Sequence, residues 1–145
     1  MTGTERKQIH GGQGQIRVSE GGYVHADLTR EIVGCAIATH RALGPGLLEG
    51  AYRACLAREL HLAGLEVQQE VPLAISYRGD RIDCSYRLDL IVERTVLVEL
   101  KAVEAIQPIH TAQLLTYLKL SDLQVGLLLN FNELRLCDGI RRVVR

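Results

Sequence analysis

Asp89, Glu99 and Lys101 are the residues whose types and spacing offer chemistry. They lie in the run Arg87-Leu88-Asp89-Leu90-Ile91-Val92-Glu93-Arg94-Thr95-Val96-Leu97-Val98-Glu99-Leu100-Lys101, two apolar stretches around a polar turn. Glu99 and Lys101 are two apart, so an extended strand sets both on one face. A three-residue turn over Glu93-Arg94-Thr95 pairs Val92 with Val96 and brings Asp89 opposite Glu99. Two carboxylates and an ammonium then share one face within a few ångströms. The carboxylates repel in a half-buried place, and one lysine does not fully offset that. A divalent cation does, because Mg²⁺ takes one or two carboxylates together with waters and phosphate oxygens. Beside it, Lys101 would hold or activate a water and stabilise charge growing on a phosphate. The same spacing also fits a half-exposed hairpin with a cross-strand Glu–Lys pair. Against that bland reading stands the company of Glu99: Val96, Leu97, Val98 and Leu100 make an unpaired acid there costly.

The elements that must position these groups follow from hydrophobic periodicity. Residues 1–24, with Gly3, Gly11, Gly12, Gly14, Gly21 and Gly22, read as a flexible leader. Leu28, Ile32, Val33, Cys35, Ala36 and Ala38 give a first helix, apolar around much of its circumference, from near Asp27 or Thr29 to about Leu43. Gly44-Pro45-Gly46 ends it. A second helix, from about Leu48 to Ala63, is expected to bury Leu48, Ala51, Cys55, Leu56 and Leu60, with Gly64 closing it. Glu49 and Tyr52 share its first turn, where an acid also suits the helix dipole without any chemistry.

From Glu66 the pattern changes to strands. Val67, Val71, Leu73 and Ile75 lead to a turn at Tyr77-Arg78-Gly79-Asp80, and Ile82 to Ile91 return. After the Glu99 strand, residues 102–108 connect to a helix from about Ile109 to Leu120. Ile109, Ala112, Leu115, Leu118 and Leu120 are its expected apolar positions. Gln113 and Tyr117 are four apart on one helix face, a site pair or ordinary surface. Val125 to Asn130 reads as a strand buried on both faces. Leu134 to Cys137 and Ile140 to Val144 read as two short final strands around Asp138-Gly139. The order gives an α/β fold, a mixed central β-sheet flanked by α-helices, as one domain over residues 25–145.

Composition narrows the function classes. The chain has 145 residues, 47% hydrophobic and 23% charged, which suits one soluble domain with one core. No apolar run approaches the roughly 20 residues of a membrane span, and no secretory h-region follows the N-terminus, so a cytoplasmic location is expected. Cys35, Cys55, Cys84 and Cys137 lie far apart with no CxxC and read as small core residues in a reducing compartment. Seventeen Lys and Arg balance seventeen Asp and Glu, which argues against a protein that coats long nucleic acid nonspecifically. Only Lys7, Lys101 and Lys119 are lysines, so one of a scarce type sits beside the acidic pair.

With these residues placed, the chain resembles the GxxExxY family, a branch of the PD-(D/E)xK nuclease-like superfamily. Gly46-Leu47-Leu48-Glu49-Gly50-Ala51-Tyr52 matches the naming motif. Tyr86-Arg87-Leu88-Asp89-Leu90 carries the superfamily aspartate, with Leu88 where many members have proline. Val98-Glu99-Leu100-Lys101-Ala102 carries the E-x-K. The stretch from Pro108 to Leu118 resembles the Q-x-x-x-Y helix of recombination-type nucleases through Gln113 and Tyr117. Gly126 to Phe131 and Asp138-Gly139-Ile140 fit the family's C-terminal end. The likeness runs over about residues 27–145.

The resemblance implies a restriction-endonuclease-like core and a site of Glu49, Asp89, Glu99 and Lys101. Asp89 and Glu99 would be metal ligands for Mg²⁺ or Mn²⁺, with the Leu100 carbonyl a third. Lys101 would orient or help deprotonate the water. Glu49 would reach the metal directly or through water, with Tyr52 packing or hydrogen-bonding beside it. Gln113 and Tyr117 would meet the phosphate backbone or brace the acids, and with Tyr52 they make the expected substrate-binding set. His40, one turn before the Gly44-Pro45-Gly46 break, is read as a capping or core residue that could also face the cleft. The activity implied is metal-dependent hydrolysis of phosphodiester bonds in DNA, with RNA second. Two alternatives stand beside it: a binding or interaction module that keeps the fold without cutting, and a hydrolase of small phosphorylated molecules. Nucleic acid is the expected partner, with no membrane association and with a homodimer or a protein partner as further expectations.

Overall fold

A computed structural model describes residues 24–145. The expected leader therefore lies outside the described residues except for Val24, which packs against the core and whose carbonyl accepts a hydrogen bond from Arg142. The helices are α1 (Ala26–Leu43), α2 (Glu49–Leu62) and α3 (Pro108–Ser121). The strands are β1 (Val67–Tyr77), β2 (Asp80–Val92), β3 (Val96–Lys101), β4 (Val125–Asn130) and β5 (Ile140–Val144). They form one five-stranded sheet in sequence order. Only the β3–β4 pair is parallel, and α3 supplies the crossover that such a pair needs. The mixed sheet flanked by helices is the α/β, restriction-endonuclease-like architecture expected.

Alternation along the strands divides the core in two. On one face, Ile32 and Ala36 of α1 and Tyr52, Leu56 and Leu60 of α2 pack on Leu90, Val92, Val96, Val98, Leu100, Leu127 and Leu129. On the other, Leu114 and Leu118 of α3 pack on Leu73, Leu88, Ile91, Leu97, Leu128 and Val143. Strands β3 and β4 are therefore apolar on both faces, as central strands covered by helices must be. Gly126 lets α3 approach closely, since a Cβ there would lie 2.9 Å from Leu114 Cδ1.

Four expectations about burial and local structure are corrected. The buried stripe of α2 is Tyr52, Leu56, Ala57 and Leu60, while Leu48 is 84% exposed and Ala51 and Cys55 face solvent. Tyr52 outcompetes the smaller side chains because its ring offers far more apolar area. In α3 the buried residues are Leu114 and Leu118, not Ile109 or Leu115, because a helix lying on one sheet face buries only one stripe. Cys55, Cys84 and Cys137 are exposed and Cys35 half-buried, so the cysteines are free thiols but not core residues. Finally, residues 134–137 form no strand. Leu134 is 88% exposed, and a 3₁₀ helix runs over Leu136–Gly139. β5 already occupies the edge of β4, and Arg135 and Asp138 pair three residues apart, as a tight helical turn favours.

Candidate active site

The hairpin register sets the site. Val92 pairs with Val96, Ile91 with Leu97 and Leu90 with Val98, and the Thr95 amide closes the three-residue turn on the Val92 carbonyl at 2.9 Å. The ladder stops there. Beyond it the strands part, and two acidic side chains take over the bonding. The Asp89 amide donates to Glu99 Oε1 at 3.3 Å, and the Leu100 amide donates to Asp89 Oδ2 at 2.8 Å.

The sheet also swaps faces at this point. Val67 of β1 and Leu90 and Val92 of β2 join the α1/α2 side, whereas Val71, Leu73 and Leu88 join the α3 side. Strict alternation would keep Leu88 with Leu90. The change is made in β1 at Glu70, whose φ of 49° is left-handed, and in β2 at Asp89, the residue opposite. Arg53 of α2 holds Glu70 at 3.5 Å. Asp89 thus stands where the backbone leaves regular pairing and a side chain can reach between strands.

Glu99 is 7% exposed. Burial, then the charge and side-chain hydrogen bond of Asp89, push its carboxyl up to about 9, against the opposing pull of the Asp89 amide and of Lys101. Glu49, at the first turn of α2, is raised by partial burial and next by the charge of Asp89, while Lys101 and Arg53 pull it down. Tyr117 of α3 is raised by partial burial and then by Glu99, Tyr86 and Asp89. The fold therefore brings Glu49, Asp89, Glu99, Lys101 and Tyr117 into one electrostatic neighbourhood, contributed by α2, β2, β3 and α3. Gln113 joins it through Oε1, which accepts from Lys101 Nζ at 3.5 Å.

The end of β4 fixes the chain just past Lys101. The Phe131 amide donates to the Lys101 carbonyl at 2.8 Å, and the fully buried Asn130 side chain clasps Val103, its Oδ1 accepting from the Val103 amide at 3.0 Å and its Nδ2 donating to the Val103 carbonyl at 2.9 Å. Pro108 at the first turn of α3 and the reciprocal Gln107–His110 cap start the next helix cleanly.

One expected role changes, that of Tyr52 as a substrate-binding residue, while His40 takes the core role read for it. Tyr52 is fully buried and stacks on Phe131 at 4.6 Å. Its hydroxyl donates to the Gly44 carbonyl at 2.5 Å and accepts from the Leu47 amide at 3.1 Å. It therefore ties down the loop that delivers Glu49, and its side chain has no surface left for a substrate. His40 is likewise inside: its Nε2 meets the Glu133 carbonyl at 2.8 Å and its ring packs near Phe131. Sequence reasoning missed Asn130, Arg53 and Tyr86 as parts of the site's frame. A polar amide ending an otherwise apolar strand was the available signal for Asn130. Arg53 and Tyr86 give none, since their partners come from other elements.

A hard divalent cation suits the acidic pair. The two neighbouring carboxyls offer oxygen donors to such a cation, and backbone amides already orient one oxygen of each. Among the described residues no three His, Cys, Asp or Glu side chains gather around one metal position.

A family model described as PD-(D/E)XK nuclease superfamily matches residues 26–143. No curated protein and no solved structure matches the chain. No described helix is long and apolar enough to cross a membrane.

Proposed function

The chain belongs to the PD-(D/E)XK nuclease superfamily, and from that membership we propose that it is a metal-dependent phosphodiesterase acting on DNA ahead of RNA. The observation that carries the reading is the interlocked pair Asp89–Glu99, with Lys101 two residues on and tied to Gln113. Asp89, Glu99 and the Leu100 carbonyl would hold Mg²⁺ or Mn²⁺, with Glu49 meeting the same ion directly or through water. When bound, the cation would polarise a water and neutralise charge on the scissile phosphate. Lys101 would orient that water or take part in removing its proton, and its ammonium would face the charge that develops on phosphorus. Gln113 would hold Lys101 in line, and Tyr117, beside Glu99 and Asp89, would brace the acids or meet the phosphate backbone. The balanced net charge suits short ends, single strands or substrate delivered by a partner better than unaided duplex binding.

The test is cleavage of labelled single- and double-stranded DNA and RNA in Mg²⁺ and Mn²⁺ by wild type, Glu99→Ala and Lys101→Ala. Wild type should cut and both folded variants should lose cutting. Equal cleavage by the variants would trace the activity to a contaminant. A second reading stands beside it. It is a binding module that keeps the fold and cuts nothing, and Mg²⁺ binding without cleavage of any strand would favour it.

A further inference from the structure

Tyr86 lies on β2 three residues before Asp89, roughly 10 Å along an extended strand. A bulge aims it. Leu73 pairs with Tyr86 but Ala74 pairs with Asp83, so Cys84 and Ser85 are looped out of the ladder immediately before the ring. The Ser85 amide donates to Asp83 Oδ1 at 2.9 Å, and Ser85 takes a left-handed φ of 61°. Bulges of this kind re-aim side chains and recur next to active sites. The Tyr86 ring meets Tyr117 with centroids 6.1 Å apart and planes 52° apart, a tilted contact. Tyr117 is half-buried, whereas Tyr86 is 44% exposed. The pair thus offers one open aromatic surface, braced from behind, at the rim of the acidic centre.

We propose that Tyr86, supported by Tyr117, is a stacking platform for an unpaired base of a single-stranded nucleic acid whose backbone crosses the Asp89–Glu99 centre. The proposal rests on the phosphodiesterase reading and narrows its substrate to unpaired strands. Bases in a duplex already stack on their neighbours, so a lone exposed ring finds a free base face only where the strand is unpaired. Stacking is also tolerant of sequence, because every base has a π-face. It answers a difficulty of composition as well: with seventeen cationic and seventeen acidic residues, attraction to phosphates alone supplies little affinity. A braced ring supplies it without a basic stripe.

The deciding experiment compares two labelled strands of equal length, oligothymidine and its abasic counterpart, which share phosphates and differ in bases. Affinity is read by fluorescence anisotropy in EDTA, where nothing is cut, for wild type, Tyr86→Ala and Tyr86→Phe. Wild type should prefer oligothymidine by about tenfold. Tyr86→Ala should lose most of that preference, and Tyr86→Phe, which keeps the ring, should retain it. Equal wild-type affinity for the two strands, or a preference that survives Tyr86→Ala, overturns the platform. Absence of binding to either strand overturns it too. The wild-type ratio stands by itself should Tyr86→Ala misfold. Cleavage of oligothymidine in Mg²⁺ reports separately on the phosphodiesterase reading, so the platform can fail while that reading survives.

Discussion

Asp89 and Glu99 hold each other across the parting of β2 and β3: the Asp89 amide donates to Glu99, and the amide following Glu99 donates back to Asp89. The clasp replaces two backbone bonds of a sheet with two carboxyl acceptors. It anchors each acid to the backbone of the neighbouring strand, although their charges repel. Regular pairing would need no acid here, and burying Glu99 carries a desolvation cost that an apolar residue at the same place would avoid.

A pH dependence of stability follows. The Glu99 carboxyl is raised from 4.5 to about 9 in the folded protein, so between those values the folded state holds a proton that the unfolded chain has released. Stability contributed by this group is complete below pH 4.5 and is lost as pH rises towards about 9. Denaturant titrations without divalent metal should show that decline, amounting to a few kcal/mol at most. Added Mg²⁺ should flatten it, and Glu99→Gln, with nothing to titrate, should remove most of it.

In the proposed phosphodiesterase Gln113 would position Lys101, its Oε1 lying 3.5 Å from the ammonium. Gln113→Ala should lower the cleavage rate by about tenfold, less than Lys101→Ala, whose loss should be a hundredfold or more. Heats of Mg²⁺ binding should stay near wild type in Gln113→Ala. A Gln113→Ala enzyme as fast as wild type would remove this residue from the site.

Tyr52 binds the Gly44–Leu47 loop through one hydroxyl. Tyr52→Phe keeps the stacking on Phe131 and loses both hydrogen bonds, so urea denaturation should show a loss of about 1–2 kcal/mol. Stability within error of wild type would mean that water replaces the hydroxyl without cost.

Asn130 is fully buried and makes two bonds to Val103. Asn130→Ala should cost about 2 kcal/mol or more, because the Val103 amide and carbonyl lose their partner. The chain after Lys101 then loosens, and cleavage should fall in assays matched for folded protein.

Gly126 marks a close approach of α3 to the sheet. In Gly126→Ala the new methyl meets the Leu114 side chain, which is 1% exposed and enclosed between helix and sheet. Overpacking there should cost about 1–3 kcal/mol. Leu114→Val combined with it should recover part of that loss, a non-additivity measurable by a double-mutant cycle.

Much of the frame was legible because local chemistry decides it. The Glu93-Arg94-Thr95 turn set the register that faces Asp89 with Glu99, since turn length alone fixes pairing in a hairpin. Gly44-Pro45-Gly46 marked the end of the first helix through its backbone restrictions. Val125 to Asn130 announced a strand covered on both sides. Residues 134–137 were misread because four residues with two leucines carry no period long enough to tell a strand from a 3₁₀ turn.

The sequence by itself determined the element order up to residue 133, the hairpin register and the identity of the acids and lysine, because those depend on neighbours along the chain. Only the tertiary structure decided which face of each helix is buried, that Tyr52 turns inward to Gly44 and Leu47, and that Asn130 clasps Val103. It also decided that a bulge at Cys84 and Ser85 sets Tyr86 against Tyr117. Each of these joins residues far apart in the chain. Their energies come from packing and desolvation between whole elements, and those terms exist only once the sheet and its helices have closed on one another.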